Sequence, residues 1–393
     1  MSPSSASAPA QFGLLIGGQT YGGWTSIEVT RSLDAMAGTF EIASTDRWPG
    51  QPEQWPVKTG DPVRVTVDGE LLLTGWVDEV EPKEEAEDHS IQIKGRGRTG
   101  DLVDCSAMNK PGRWSGRKIE QIVSDLCAPF SIAVTVEGDT GAPFKAFAIQ
   151  QGEAVKEAID RLVQQRGLLP IETASGDLML AAPGTMRAAG QLVLGGQGAN
   201  LVAGEGKHNA AERFSLYVVK GQRQGDNHDH GKAVSQVSAT AADPQVTRYR
   251  PLMIMAEEQA DGGSAADRAR FAATIRAARA QTGKLTRTGA RDAAGALWAP
   301  NRLITVAAAN LGLQGDLLIA EVKFKVDGSG AASEIHVTRP EAYSLGEVKG
   351  VGLSRLDNSH AGAGAKAPKG RKGRKGKGKG KGAGLDALAN LDS

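Results

Sequence analysis

A tight histidine pair is the first group of residues in this sequence that could do chemistry. His228-Asp-His230 could bind a metal ion if further ligands came from elsewhere in the fold. The pair lies in a stretch rich in Gly, Asp and Asn, with His208 some way upstream. That composition favours a solvated loop, and we predict neither a metal nor a cofactor.

A run of cations between residues 366 and 381 is the second group, with nine Lys or Arg and no acid. The whole chain has a net charge of only +1, so the remainder is net acidic. A flexible polycation binds polyanions by releasing counterions, although no aromatic side chain is present to stack bases. A solubilising spacer is the alternative. The candidate polyanion contacts are Lys369, Arg371, Lys372, Arg374, Lys375, Lys377, Lys379 and Lys381.

Two tryptophans, Trp48 and Trp55, form the third group, in a stretch of residues 44–62 that contains four prolines. Tryptophan is enriched at interface hot spots, so these side chains are candidate anchors for a partner. The alternative is that they cap one end of a β domain locally. Arg31, Arg64, Arg96 and Arg98 could line a channel or pair with acids, and the sequence favours neither.

Motifs that position a nucleophile, a metal or a phosphate are missing from the sequence, which has no HExxH, GxSxG or GxxxxGK[ST]. Gly95-Arg-Gly97 and Gly100 match only part of a dinucleotide-binding loop. Asp101 and Asp104 stand where a phosphate would need positive charge. We therefore predict that the chain is not an enzyme and has no small-molecule substrate.

Short strands are the main elements that would position these residues. Gly accounts for 51 of 393 residues and supplies turns. The alternating segment 62–67, followed by Asp68-Gly69, predicts a β-hairpin. Apolar residues at helical spacing predict helices over 115–127, with Ser115 as N-cap, and over 153–165. A third, Ala/Arg-rich helix is predicted over 264–281.

These patterns predict an α+β, mainly β fold, with two small barrel-like antiparallel β domains, an α+β insert and a disordered basic C-terminal tail. No run of 18 apolar residues occurs, so we expect no membrane span. No signal peptide is visible, which predicts folding in a cytoplasm. The predicted boundaries are 1–10 for a disordered arm, 11–105 for the first barrel-like domain, 106–190 for the insert, 191–345 for the second barrel-like domain with a helical insertion, and 346–393 for a flexible Gly/Lys-rich tail.

Several segments resemble the baseplate hub proteins of Mu-like contractile-tailed phages, the phage tail or late control protein family. They keep the family's order and approximate spacing, whereas the Lys/Gly run is longer and simpler than the family pattern. The segments are Gly23–Ile42, Thr74–Asp78, Gly95–Ala107, Ile119–Pro129, Phe214–Gly221, Val246–Arg250 and Leu297–Asn301.

The resemblance implies a homotrimer with two related barrel-like domains per subunit, which together surround a channel. It implies a ring between the sixfold tail tube protein and the trimeric central spike protein, with the tape measure protein and other baseplate proteins as further partners. A trimer can match a sixfold ring only if each chain offers two near-equivalent surfaces. The expected location is the tail baseplate of the virion, after assembly in the cytoplasm of the bacterial host.

Two alternatives remain open at this stage. A tail-associated cell-wall hydrolase would need a paired buried carboxylate or a complete metal site. A nucleic-acid-binding particle component would act through the basic tail.

Overall fold

The computed structural model describes five segments of the chain, and all statements below concern them. The predicted arm of residues 1–10 and the predicted tail of residues 346–393 lie outside the described residues. The described segments are 11–45, 57–84, 89–221, 237–255 and 262–344.

The described chain is mainly β, as predicted, and its first region shows why. In the predicted hairpin, Val63, Val65 and Val67 are fully buried. Asp68 and Gly69 both have positive φ, the turn geometry that the Asp-Gly pair favours. The strands of this region are β1 (Phe12–Ile16), β2 (Gln19–Tyr21), β3 (Trp24–Ser32), β4 (Thr39–Thr45), β5 (Pro62–Val67), β6 (Glu70–Glu84) and β7 (His89–Gly97).

The middle region combines helices with short strands around a core of its own, which includes Ile122, Ile159 and Leu162. Its strands form one three-stranded sheet, β11-β12-β9, and one pair, β8 with β10. The elements are α1 (Gly100–Asp104), β8 (Arg113–Trp114), α2 (Ile119–Cys127), β9 (Val134–Glu137), β10 (Phe147–Ala148), α3 (Val155–Gln164), β11 (Leu169–Glu172) and β12 (Leu178–Ala181).

The predicted start of α2 was wrong. The Ser115 hydroxyl donates to the carbonyl of Lys145 at 3.0 Å, so it does not cap the helix. The helix begins after Lys118, whose backbone N–H donates to the side chain of Gln121 at 3.2 Å. A side chain three residues into the helix thereby satisfies one of the free donors at this helix start.

The last region returns to strands and carries one long helix, α4, near its middle. Strands β15, β16 and β17 form a separate sheet, against which α4 packs through Ala265 and Ala269. The elements are β13 (Met186–Val193), β14 (Ala203–His208), β15 (Leu216–Gly221), β16 (Val237–Ala242), β17 (Pro251–Met255), α4 (Gly262–Arg279), β18 (Gln281–Thr288), β19 (Arg302–Ala308), β20 (Leu313–Asp327) and β21 (Gly330–Thr338).

Strands from the first and last regions belong to one 13-stranded sheet. We call β1–β7 the N-terminal module, and β13, β14 and β18–β21 the C-terminal module. Antiparallel pairing of β20 with β3 joins the two modules. Among the described residues strand pairing closes neither module into a barrel, so the barrel-like form and the predicted domain boundaries stay predictions.

The two modules repeat one strand order. The N-terminal path is β1-β5-β6-β7-β4-β3, and the C-terminal path is β13-β19-β20-β21-β18-β14. In each module a 15-residue strand forms a hairpin with a nine-residue strand. In each, the hairpin register shifts at one bulge, after Val77 in β6 and after Ile319 in β20.

The repeat differs in three places. Strand β2, which pairs with β1, has no counterpart among the described strands of the C-terminal module. Strand β1 runs antiparallel to β5, whereas β13 runs parallel to β19. Strands β3 and β4 follow each other directly, whereas the β15–β17 sheet and α4 lie between β14 and β18 in the chain. The hairpin register nevertheless aligns the modules residue by residue, because Glu79 pairs with Lys94 as Glu321 pairs with His336.

Candidate assembly interface

The junction between the modules is a strand added to an open edge. Strand β21 pairs with one edge of β20, and the other edge is shared by two strands in succession. Residues 313–318 pair with β19, and residues 321–326 pair with β3. Val322 and Phe324, which pair with Arg31 and Val29, are fully buried. The junction is therefore a hydrogen-bonded ladder above an apolar core.

Charged side chains on the exposed face set the register of this junction. Glu28 accepts a hydrogen bond from Lys323, and its carboxylate lies 3.8 Å from the Lys325 ammonium. Lys325 also lies 2.8 Å from Glu334. Such partly exposed pairs each contribute little to stability. A slip by two residues in one direction would bring Glu28 opposite Asp327, a like-charge contact, so the charges disfavour that register.

Among the described strands, none pairs with the corresponding edge of the N-terminal module, which we call open in that sense. Residues 79–84 of β6 correspond to residues 321–326 of β20 and, among the described residues, pair only with β7. Val80 is partly buried where Val322 is fully buried. Pro82 is exposed where Phe324 is fully buried. The backbone of this stretch corresponds to that of residues 321–326, which are paired on both sides, but its side chains are of the kind found in strands at the edge of a sheet.

The second open edge belongs to β14, the counterpart of β3 in the C-terminal module. Within the described segments β14 pairs only with β18, through all of its residues 203–208. Glu205 pairs with Lys284 as Glu28 pairs with Glu41, which makes Glu205 the counterpart of Glu28. The side chains of Glu205 and Lys207 are both exposed. Each chain thus presents one edge that matches β3 and one that matches β20.

A buried carboxylate fixes the middle region to the N-terminal module. The two oxygens of Glu172 accept the Gly38 N–H at 2.7 Å, the Thr99 N–H at 3.1 Å and the Thr99 hydroxyl at 2.9 Å. Arg31 donates to the backbone carbonyl of Glu172 at 2.7 Å. Burial raises the pKa of the Glu172 carboxyl above its usual range, and these hydrogen bonds and Arg31 oppose that rise.

The four arginines left open by the sequence have different environments. Arg96 forms salt bridges with Asp78 and Asp104, at 2.7 and 2.6 Å. Its hydrogen bonds hold the pKa of the Asp104 carboxyl below the usual range. Arg98 donates to the Ser131 carbonyl at 2.7 Å. Arg64 and Arg98 both line an open groove beside β5.

The candidate chemical sites lie largely outside the described residues. Trp48, Trp55, His228 and His230 are outside them, as is the basic segment from Lys369 to Lys381. Within the described segments, no group of three or more His, Cys, Asp or Glu side chains could hold a metal ion. No helix in those segments is both long and apolar enough to cross a membrane.

The three buried acids of the described segments each have donors of their own. Glu153 forms a salt bridge with Arg161 at 2.7 Å, and Asp243 forms one with Arg213 at the same distance. Glu172 is held by backbone and hydroxyl donors as described above. These contacts give each carboxylate a structural partner.

Sequence reasoning missed both open edges. Strand β14 reads Ala-Gly-Glu-Gly-Lys-His, without the alternating apolar residues that indicate a strand. Strand β6 continues to Glu84 through charged residues and a proline, which the pattern of the predicted hairpin does not indicate. The only sign of a strand in this stretch was weak: charged residues alternate with Val80 and Pro82 in the order Glu-Val-Glu-Pro-Lys, before Glu84.

The described chain thus contains two modules with one strand order, joined edge to edge, and an α+β region between them in the sequence. Models of phage tail and baseplate families match almost all of this architecture. They are the Mu phage baseplate assembly protein GpP-like N-terminal domain over residues 11–97, the baseplate hub protein gp44-like second domain over 99–182, the tail protein NMB1110-like third domain over 213–271, and the Mu phage baseplate assembly protein GpP fourth domain over 262–346.

The chain belongs to the family of Mu-like phage baseplate hub proteins. It is 32% identical to the baseplate hub protein gp44 of Escherichia phage Mu over 336 residues, which cover 83% of this chain and 87% of that protein. The family places it in the phage tail baseplate, and so in the virion.

Two solved structures share the fold. The 43 kDa tail protein of prophage MuSo2 from Shewanella oneidensis is 33% identical, with a TM-score of 0.76 over 85% of this chain and 99% of that one. The tail protein from Neisseria meningitidis MC58 is 19% identical, with a TM-score of 0.70 over the same shares of the two chains.

Proposed function

We propose that this protein is the homotrimeric hub of a contractile phage tail baseplate, and that it joins the sixfold tail tube protein to the threefold central spike protein. Its role is adhesion and geometry, without catalysis. The repeat of one strand order within a single chain carries this proposal. Three such chains would supply six near-equivalent modules, the number that a sixfold tube requires.

Further parts of the proposal follow from the family in the case of the partners, and from the residues themselves in the case of the tryptophans and the basic segment. The tape measure protein and other baseplate proteins are further partners, and the trimer assembles in the cytoplasm of the bacterial host. Trp48 and Trp55 anchor a partner, and the cations from Lys369 to Lys381 bind a polyanion. Deleting the residues after Gly362 tests the last point, because it should abolish any salt-sensitive retention of the protein on DNA.

The oligomeric state tests the central claim. We expect light scattering on the purified full chain to give the mass of three 41.0 kDa chains. Class averages from electron microscopy should show a ring with threefold symmetry and six lobes. A monomer that persists at high concentration, or a dimer, would contradict the proposal.

A further inference from the structure

We propose that β14 of one subunit pairs antiparallel with residues 79–84 of β6 in the next subunit, and so repeats between chains the β3–β20 junction formed within each chain. The proposed occupant of this open edge is therefore a second copy of the chain. This inference rests on the proposed ring and specifies how its subunits join. The observation that carries it is the match between the two open edges and the two edges already paired.

The internal junction predicts the register between subunits. In that junction Arg31 pairs with Val322, Val29 with Phe324 and Ile27 with Val326. The strand registers within each module identify the counterpart of each of these residues in the other module. The predicted pairs are His208 with Val80, Lys207 with Glu81, Gly206 with Pro82, Glu205 with Lys83, and Gly204 with Glu84.

The charges agree with this register. Lys207 faces Glu81 and Glu205 faces Lys83, so both pairs on the exposed face have opposite sign. The second pair reproduces the internal contact between Glu28 and Lys325. A slip by two residues in one direction would bring Glu205 opposite Glu81, a like-charge contact that destabilises antiparallel strands.

The proposed junction is weaker than its internal template, for two reasons. Pro82 has no backbone N–H, so the ladder can lose one hydrogen bond at that residue. An exposed proline also replaces the buried Phe324, which removes a large apolar contact. A weaker junction suits an interface that forms only after each chain has folded.

The arrangement leaves each chain with one donor edge and one acceptor edge. Head-to-tail contacts of this kind form a closed ring if the rotation per module closes, and a filament otherwise. In a closed trimer, three internal and three intersubunit junctions alternate, and every module gives one strand and receives one. No open edge of this type then remains.

Charge reversal tests the predicted register on the full chain. Lys83→Glu alone and Glu205→Lys alone should each raise the concentration of half-assembly about fivefold or more, since each places like charges opposite each other. The double variant restores opposite charges and should recover most of the association. Lys145→Glu, an exposed change of the same charge in the middle region, is the matched control and should assemble normally.

Covalent trapping gives a second readout. Lys83→Cys combined with Glu205→Cys should form disulfides between chains on mild oxidation and give dimers and trimers on a non-reducing gel. Lys83→Cys or Glu205→Cys alone should not, and these variants also control for the native Cys105 and Cys127. A trimer that forms normally, yet neither cross-links nor responds to the charge reversals, would overturn the junction and leave the proposed hub intact. A chain that stays monomeric would overturn both.

Discussion

The N-terminal and C-terminal modules share a strand order but differ in what covers the edge of their long strand. In β20 the covered stretch carries the buried side chains Val322 and Phe324. In β6 the matching stretch carries Val80, Pro82 and Lys83, and its edge is open in the described chain. Proline and lysine are residues that natural edge strands use to resist unwanted pairing. The internal junction thus has an apolar buried face, whereas the open stretch carries a proline and charged residues instead.

Inside the sheets, the large and the small residue of one cross-strand pair have exchanged strands between the two modules. Phe40 pairs with Gly95 in the N-terminal module, and at the matching place Gly283 pairs with Val337. A large residue faces a glycine in both modules, but on opposite strands. The large residue stands on the partner strand in the second module and is Val instead of Phe, so the repeat is visible in the fold and nearly invisible in the sequence.

The largest expected effect comes from breaking the internal junction. Phe324→Ala should lower the free energy of unfolding by about 3–5 kcal/mol, because it leaves a cavity at a fully buried site. Pro82→Ala, at the matching exposed position, should change it by less than about 0.5 kcal/mol. Denaturant unfolding of dilute protein measures both. Similar losses for the two variants would show that the two edges are not as different as described.

The next largest effect concerns the buried carboxylate of Glu172, which fixes the middle region to the N-terminal module. Glu172→Ala should lower the free energy of unfolding by about 2–3 kcal/mol, since it leaves the donors of Gly38 and Thr99 buried without an acceptor. Chemical denaturation at neutral pH measures the loss. Glu120→Ala, which removes a more accessible carboxylate from the same region, is the control and should cost less.

The same carboxylate should make stability depend on pH. Its folded pKa is raised above the unfolded value near 4.5, so the folded chain binds this proton more tightly. The contribution is complete below about pH 4.5 and is lost as the pH rises through the raised pKa. In Glu172→Gln the fall in stability between about pH 4 and pH 7 should be smaller than in the unmodified chain. An identical pH profile would contradict the raised pKa.

A smaller effect is expected from the size exchange. Gly95→Ala should destabilise by about 1–3 kcal/mol, because its Cβ would lie 2.0 Å from the Trp76 carbonyl oxygen and 2.4 Å from the Phe40 ring. Since the backbone oxygen cannot move aside, Phe40→Leu should not rescue the variant fully. Full rescue would assign the clash to the Phe40 ring alone. Thermal unfolding of the single and double variants measures the difference.

The smallest effect is local to the C-terminal module. Hydrogen bonds from Arg187 and Thr305 lower the pKa of the Asp316 carboxyl to about 2. Arg187→Gln should raise that pKa toward its ordinary value near 3.8, with little change in unfolding because the site is exposed. An NMR titration of the Asp316 side chain follows the shift. An unchanged pKa would show that Arg187 does not hold this carboxylate in solution.

The sequence predicted the parts of the fold that rest on local chemistry. Asp68-Gly69 specified its hairpin, and the apolar spacing around Ile122 and Ile159 located α2 and α3. The open edges escaped prediction because β14 and the end of β6 consist largely of glycines and charged residues, without the alternating apolar side chains that indicate a strand. Their strand form depends on pairing with β18 and β7, which sequence periodicity does not record. Trp48, Trp55 and the cations from Lys369 to Lys381 lie outside the described chain, so those choices stay predictions.

The two strands of the internal junction lie far apart in the sequence, and this separation determines when the junction can form during synthesis of the chain. Glu28 and the lysine that reaches it, Lys323, lie 295 residues apart. During translation β3 can pair with β4 early, but the edge of β3 that pairs with β20 has no partner until Lys323 has left the ribosome, and contacts so distant form late. A truncated chain lacks the strand that completes its own junction. In the proposed ring, such a chain would leave one junction unmade, so complete subunits would be favoured over incomplete ones.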